Sequence, residues 1–252
     1  MSENPELFVA NWKMNQRHEH AVSFAERACT LAQEVAPDNK QLILCPSYPS
    51  LFDVTTITSE STVAVAAQDC SEHNAGAYTG QVSAAMIADT GCSYCIVGHS
   101  ERRRGLGESN DVVARKAARA VENMLAPIIC IGETLPEQKE GHTFAILEEQ
   151  LKPILAQLAQ CEGDISDTVI AYEPVWSIGT GVVPEEKMLK EIFAWLREYL
   201  QTAGKLADAT MLYGGSVDEQ NAPGLMGMEH IGGLLIGGAS VDFQSFRKIV
   251  LS

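Results

Sequence analysis

Eight short apolar runs, separated by amphipathic stretches, constrain what this chain can fold into more than any other feature of its sequence. They read LFVAN, QLILC, TVAVAAQ, YCIVG, APIICIG, TVIAYE, TMLYGG and GLLIGG. Each is apolar almost throughout rather than at every second position, the pattern of a strand covered on both faces, as in a parallel sheet. Between them, stretches such as AVSFAERACTLAQEV, DVVARKAARAVENML, TFAILEEQLKPILAQLA and EEKMLKEIFAWLREYL repeat apolar residues every three to four positions, which predicts helices. Strand and helix therefore alternate. Eight right-handed β-α-β units in 252 residues predict a single closed (β/α)8 barrel with parallel strands, an open doubly wound sheet being the runner-up. No linker or change of composition divides the chain, so residues 1–252 are expected to form one barrel domain.

The bulk properties narrow the function. With 18 Lys and Arg against 33 Asp and Glu, the formal net charge is -15, which repels nucleic acid and anionic lipid. Neither is an expected partner. MSENPELFVA lacks a basic segment leading into an apolar one, and no apolar run approaches the roughly 18 residues of a membrane span, so a cytoplasmic protein is expected. The seven cysteines, several in apolar runs such as LILCP and IICIG, read as reduced core thiols. Cys92 and Cys95 form a C-x-x-C, for which a redox or metal-binding pair is the alternative.

In a (β/α)8 barrel the chemistry sits where the strands end, so the residues closing each run are the candidates. The first run ends in NWKMN with Asn11 and Lys13, the fourth in GHSERRR with His99 and Glu101, and the sixth in Glu173. Pro174 biases Glu173 towards extended geometry, so this carboxylate caps a strand. It can act as a general base in the barrel mouth or as a strand-end acid paired with a surface cation. A neutral His99 can polarise a carbonyl or pass protons between oxygens, and can equally be a satisfied structural residue. Lys13 offers a fixed cation, a Schiff-base amine if desolvated, or a solvated surface charge. Asn11, two residues earlier, shares its direction if the segment stays extended. Ser100 is not a hydrolase nucleophile, because the G-x-S-x-G elbow is missing.

Gly214-Gly215-Ser216 and Gly237-Gly238-Ala239-Ser240 follow the last two runs. Glycines there let backbone N–H groups approach a phosphate, although tight turns alone would also use them. Arg102 to Arg104 read as a solvated face or an ion-pair network, and His18 and His20 as an exposed helix start rather than a metal site.

Taken together, NWKMN, GHSERR, AYEPVWSIGTG, YGGSV and GGAS resemble, in order and along essentially the whole chain, the motifs of the triosephosphate isomerase family. The resemblance implies an enzyme that interconverts dihydroxyacetone phosphate and D-glyceraldehyde 3-phosphate through an enediolate, in glycolysis and gluconeogenesis, without metal or organic cofactor. By the same resemblance Glu173 is the base, His99 the electrophile, Lys13 and Asn11 hold and polarise the substrate, and Glu101 supports the lysine. Gly179, Ser216, Gly237 and Gly238 grip the phosphate together with Asn11 and Lys13. Residues 174–184, including Pro174, Trp176, Ile178 and Gly181, form a closing lid that shields the enediolate, with Ile178 and Leu235 walling the base in. As is established for this family, the imidazole is kept neutral by a helix N-terminus. The resemblance also implies a homodimer through AGAYTGQ, Ala75–Gln81. An aldolase-type barrel would want a lysine where the sixth run ends in Glu173. A non-catalytic barrel would not need Asn11, Lys13, His99 and Glu173 together.

Three positions depart from the family pattern. Gln81 stands where an acid is usual, leaving an inter-subunit ion pair, with Arg102 as candidate cation, without its acid. Asp69 replaces a frequent asparagine. Pro184, at the far hinge of the lid, has no N–H to donate to the Tyr213 hydroxyl.

Overall fold

The computed structural model of the chain describes residues 4–204 and 206–252; Met1 to Glu3 and Lys205 lie outside the described residues. Its strands are β1 (Glu6–Asn11), β2 (Lys40–Cys45), β3 (Ala64–Ala67) and β4 (Tyr94–Val97), followed by β5 (Ala126–Ile131), β6 (Val169–Tyr172), β7 (Thr210–Tyr213) and β8 (Gly233–Ile236). Each pairs in parallel with the next, and β8 returns to β1, so the sheet is a closed barrel and not an open doubly wound sheet.

Alternation along each strand explains why the runs carry no polar face. Leu7, Val9, Ile43, Cys45, Ile128, Cys130 and Leu235 pack on one another in the barrel interior. Their neighbours Phe8, Ala10, Leu42, Leu44, Ile129, Ile131 and Ile236 belong to a separate, larger core beneath the helices. Successive side chains point to opposite faces of a strand, and here both faces are dry.

The covering helices are α1 (His18–Val35), α2 (Tyr48–Thr58), α3 (Ala84–Ala88), α4 (Ser100–Leu106) and α5 (Asn110–Glu122), then α6 (Leu135–Lys139), α7 (Thr143–Leu158), α8 (Glu186–Ala203), α9 (Ala222–Met226) and α10 (Phe243–Val250). α8 buries Leu189, Ile192, Phe193, Leu196 and Leu200, the three-to-four spacing of one helical stripe. α7 tolerates Pro153, which removes a backbone donor, because Leu147, Leu151, Ile154 and Leu158 hold the helix against the barrel.

All strands run the same way, so Asn11, Glu133, Glu173 and the glycines after β7 and β8 emerge at one end of the barrel. Crowding there is severe around Glu173. A Cβ on Gly132 would stand 1.7 Å from the Glu173 carbonyl oxygen, and one on Gly214 would stand 2.9 Å from its Cγ. Only glycine fits on either side of this acid.

Cys45, Cys70, Cys92, Cys95 and Cys130 are buried free thiols. The C-x-x-C pair has separate partners: Cys92 lies 3.4 Å from the Thr90 hydroxyl, while Cys95 Sγ lies 3.6 Å from the Ile96 carbonyl. Burial pushes the Cys92 thiol up to about 11, so it stays protonated and unreactive at neutral pH.

Candidate active site

A cleft of about 270 Å³ opens over the strand ends, lined by Asn11, Lys13, His99, Glu173, Ile178, Gly179, Gly181, Ser216, Leu235, Gly237 and Gly238. Of the catalytic and lid residues that the resemblance implies, Glu101, Pro174 and Trp176 lie outside this wall.

Glu173 follows β6 directly and is 2% exposed. Its Oε1 lies 3.0 Å from His99 Nε2, and its Oε2 accepts the Ser100 N–H at 3.1 Å. His99 caps α4, and its Nδ1 accepts the Glu101 N–H at 3.2 Å. That bond needs a lone pair on Nδ1, so the ring proton belongs on Nε2, facing the carboxylate. The Glu173 charge pulls the His99 pKa up against burial, but protonating Nδ1 would turn a donor against the Glu101 N–H. The geometry therefore fits a neutral ring that donates from Nε2. Burial pushes the Glu173 pKa up; the hydrogen bonds from His99 Nε2–H and the Ser100 N–H, with the charge of Lys13, outweigh it and hold Glu173 below the ordinary carboxylate range.

Lys13 does not continue β1. Its φ of +52° is left-handed, and its N–H turns back to Asn11 Oδ1 at 3.1 Å. The expectation of a shared, extended direction for Asn11 and Lys13 is thus corrected: a tight turn brings both side chains to the cleft. Such backbone costs of order 1–3 kcal/mol and persists where the surroundings over-determine it. Gln68 contributes by donating to the Lys13 carbonyl at 2.8 Å. Lys13 Nζ lies 2.6 Å from Glu101 Oε1, so Glu101 reaches the site through the lysine.

In the same cleft, Gly179 has a φ of +70° and Gly238 opens a 3-10 turn over Gly238–Ser240. Among the described residues neither backbone N–H has a protein acceptor, which leaves both for an anion. The Ser216 hydroxyl accepts the Gly181 N–H at 3.2 Å and donates to the Ser177 carbonyl at 2.6 Å.

The near end of the lid hangs on a residue that the sequence reading missed. Glu133, just beyond β5 and fully buried, accepts the Trp176 indole N–H at 2.9 Å and the Tyr172 hydroxyl at 3.2 Å. Burial pushes its pKa up more than these neutral donors and its own backbone N–H pull it down. The strand-end rule, applied to the fifth run as it is to the sixth, points to it. At the lid's far end Pro184 offers no donor, and the Tyr213 hydroxyl lies 3.3 Å from Ser177 Oγ.

The arginine run divides. Arg102 pairs with Asp69 at 2.8 Å and Glu108 at 2.7 Å, while Lys116 holds the same two acids at 2.7 and 2.6 Å. The acids for Arg102 thus come from its own chain. Arg102 thus lies in an ion-pair network and Arg104 is exposed, as expected, whereas Arg103 is corrected: it turns inward to the Gly98 carbonyl at 2.7 Å and Asn110 Oδ1 at 2.6 Å. His18 and His20 are exposed at the start of α1. Among the described residues no three His, Cys, Asp or Glu side chains converge at metal-binding spacing, and no helix is long and apolar enough to cross a membrane.

Comparison with known proteins agrees with this geometry. The family model for triosephosphate isomerase matches residues 6–252. The chain is 40% identical over 246 residues to the triosephosphate isomerase of Endomicrobium trichonymphae, covering 97% of each, and 36% identical over 248 residues to that of Aquifex aeolicus, covering 98% of each. A crystal structure of the Bartonella henselae triosephosphate isomerase superposes with a TM-score of 0.84 at 30% identity, over 98% of both chains. The chain belongs to the triosephosphate isomerase family.

Proposed function

We propose that Glu173 carries the proton between the two reacting carbons of a triose phosphate while His99 handles the protons on its oxygens. The chain interconverts dihydroxyacetone phosphate and D-glyceraldehyde 3-phosphate, a step of glycolysis. Glu173 removes a proton from C1 of dihydroxyacetone phosphate, and the electrons move onto the C2 oxygen to give the enediolate. His99 Nε2–H supplies a proton to that oxygen and the ring recovers one from the C1 oxygen. Glu173 then returns its proton to C2.

The observation that carries this reading is the buried Glu173–His99 contact, 3.0 Å long, in the same cleft as Lys13. A base with a lowered pKa is ionised at neutral pH, and a neutral imidazole can both give and take a proton. To reach substrate carbon the carboxylate must leave its present partners, Nε2 and the Ser100 N–H. Lys13 opposes the charge that builds on the enediolate and, with Asn11, holds the oxygens. The N–H groups of Gly179 and Gly238, beside Gly237 and Ser216, take the phosphate. They and Lys13 supply the local positive potential that a chain of net charge -15 otherwise denies to a dianion. Lid residues 174–184, Pro174, Trp176, Ile178 and Gly181 among them, exclude water from an intermediate that would shed phosphate. No group beyond these side chains is needed for the proton transfers.

A coupled isomerase assay with D-glyceraldehyde 3-phosphate tests this. Wild type turns over, and Glu173→Gln loses about 10²–10⁴-fold, the range for a general base; undiminished turnover in the variant removes Glu173 from the reaction.

The proposal extends to assembly: residues 1–252 act as one barrel domain that pairs with a second copy through Ala75–Gln81. Tyr78 supports this, since it is 42% exposed yet held flat on His73 at 3.8 Å. A recess of about 290 Å³ beside the active cleft, lined by Met14, Tyr48, Gln68 and Arg102, offers such a loop a seat. With Asp69 and Glu108 pairing Arg102 in cis, that contact does not depend on an acid at position 81. A dimer mass in solution is expected, and a fully active monomer would contradict it. Cytoplasmic location fits the free buried thiols.

A further inference from the structure

The lid carries a buried hydroxyl that nothing above requires. Ser177 sits in its middle, yet its side chain is fully buried. Its hydroxyl donates to the Val182 carbonyl at 2.5 Å, accepts the Ser216 N–H at 3.2 Å and lies 3.3 Å from the Tyr213 hydroxyl. A serine hydroxyl has one proton and two lone pairs. With the proton committed to Val182, Tyr213 must be the donor to Ser177. Tyr213 is suited to this, because burial pushes its pKa up to about 12 and keeps it protonated. All three valences of the hydroxyl are then used, each by a different segment.

We propose that Ser177 is the positioning residue of the lid, tying its near half, its far half and the turn after β7 through one hydroxyl. The bond to Val182 closes residues 177–182 into a compact loop that presents Gly179 to the cleft. The bonds from Ser216 and Tyr213 fasten that loop to the barrel. Gly215 supplies an independent sign that the hub is built in. A Cβ there would fall 2.2 Å from the Tyr213 hydroxyl oxygen and 2.8 Å from Ser177 Oγ, so glycine keeps the space in which the two meet. Pro184 brings no N–H to this region, and the Val182 carbonyl is the far half's contribution to the hub.

The inference rests on the isomerase reading for its consequence, but its test does not. A ligand's apparent affinity falls in proportion to the fraction of protein in the competent state. If Ser177 sets the lid, Ser177→Ala weakens binding of inorganic phosphate about tenfold, measured by calorimetry on the folded protein, and lowers kcat/KM by a similar factor. Tyr213→Phe, which removes one of the three bonds, weakens phosphate binding in the same direction by a smaller factor. A merely structural serine would lower thermal stability and leave phosphate affinity alone. Wild-type phosphate affinity in Ser177→Ala, whatever its stability, overturns the proposal. Wild type that binds phosphate but fails to isomerise triose phosphates would overturn the isomerase reading and leave this one standing.

Discussion

Glu133 and Glu173 close neighbouring strands of the same barrel, both are buried, and their pKa values move in opposite directions. Depth alone would raise both. The difference lies in their partners. Glu173 meets an imidazole, a helix-start N–H and, at longer range, the Lys13 ammonium, all of which favour the carboxylate. Glu133 meets an indole, a phenol and its own backbone N–H, which hold it in place with less electrostatic return. One acid is therefore kept charged beside a partner it can leave, and the other is fixed as an anchor for the lid. A buried acid at a strand end is a candidate base only when its surroundings keep it ionised.

Removing the cation on the Glu173 side separates the two acids most. Lys13→Met should lower turnover about 10²–10³-fold, the cost of deleting one preorganised stabiliser of developing charge. Glu173 should also titrate at higher pH in that variant, because Lys13 is one of the groups lowering it. Near-normal turnover would place Lys13 outside the site.

Substituting the other member gives a smaller effect of a different kind. Glu133→Gln keeps an acceptor for Trp176 but removes the charge, and turnover should fall by about tenfold or less, in keeping with a role in placing the lid. A loss matching that of Glu173→Gln would erase the distinction drawn between the two acids.

The gentlest test is the pH dependence of stability, where the two should differ in sign. Glu173 has a lowered folded pKa, so its stabilisation is present above the unfolded value of about 4.3 and is lost as pH falls through the folded value. Glu133 has a raised folded pKa, so its stabilisation is present below about 4.3 and is lost as pH rises through the folded value. Relative to wild type, Glu133→Gln should thus gain thermal stability as pH rises above about 4.3. Glu173→Gln should lose it as pH rises towards that value. Parallel curves would contradict the opposite shifts.

The barrel was legible because both faces of every strand are dry, so eight uninterrupted apolar runs survive in the sequence. The strand-end rule then located Asn11, Lys13, His99 and Glu173 without any three-dimensional information. Other features depended on geometry that spacing does not encode. The left-handed turn at Lys13 follows from Asn11 and Gln68 holding its backbone, neither of which is a local propensity. Arg102 to Arg104 look alike as a run, yet the turn of α4 sends one into a charge network, one inward and one to solvent. Ser177 looks like an ordinary loop serine until Val182, Tyr213 and Ser216 converge on it.

In the proposed mechanism Glu173, and not its neighbour Glu133, carries the substrate proton. Turnover in deuterium oxide reads this directly, since a proton held on a carboxylate exchanges with solvent before it returns to carbon. Deuterium should appear on the reacting carbon with wild type and with Glu133→Gln, and should fall to background with folded Glu173→Gln. Undiminished incorporation by the Glu173→Gln protein would contradict the account.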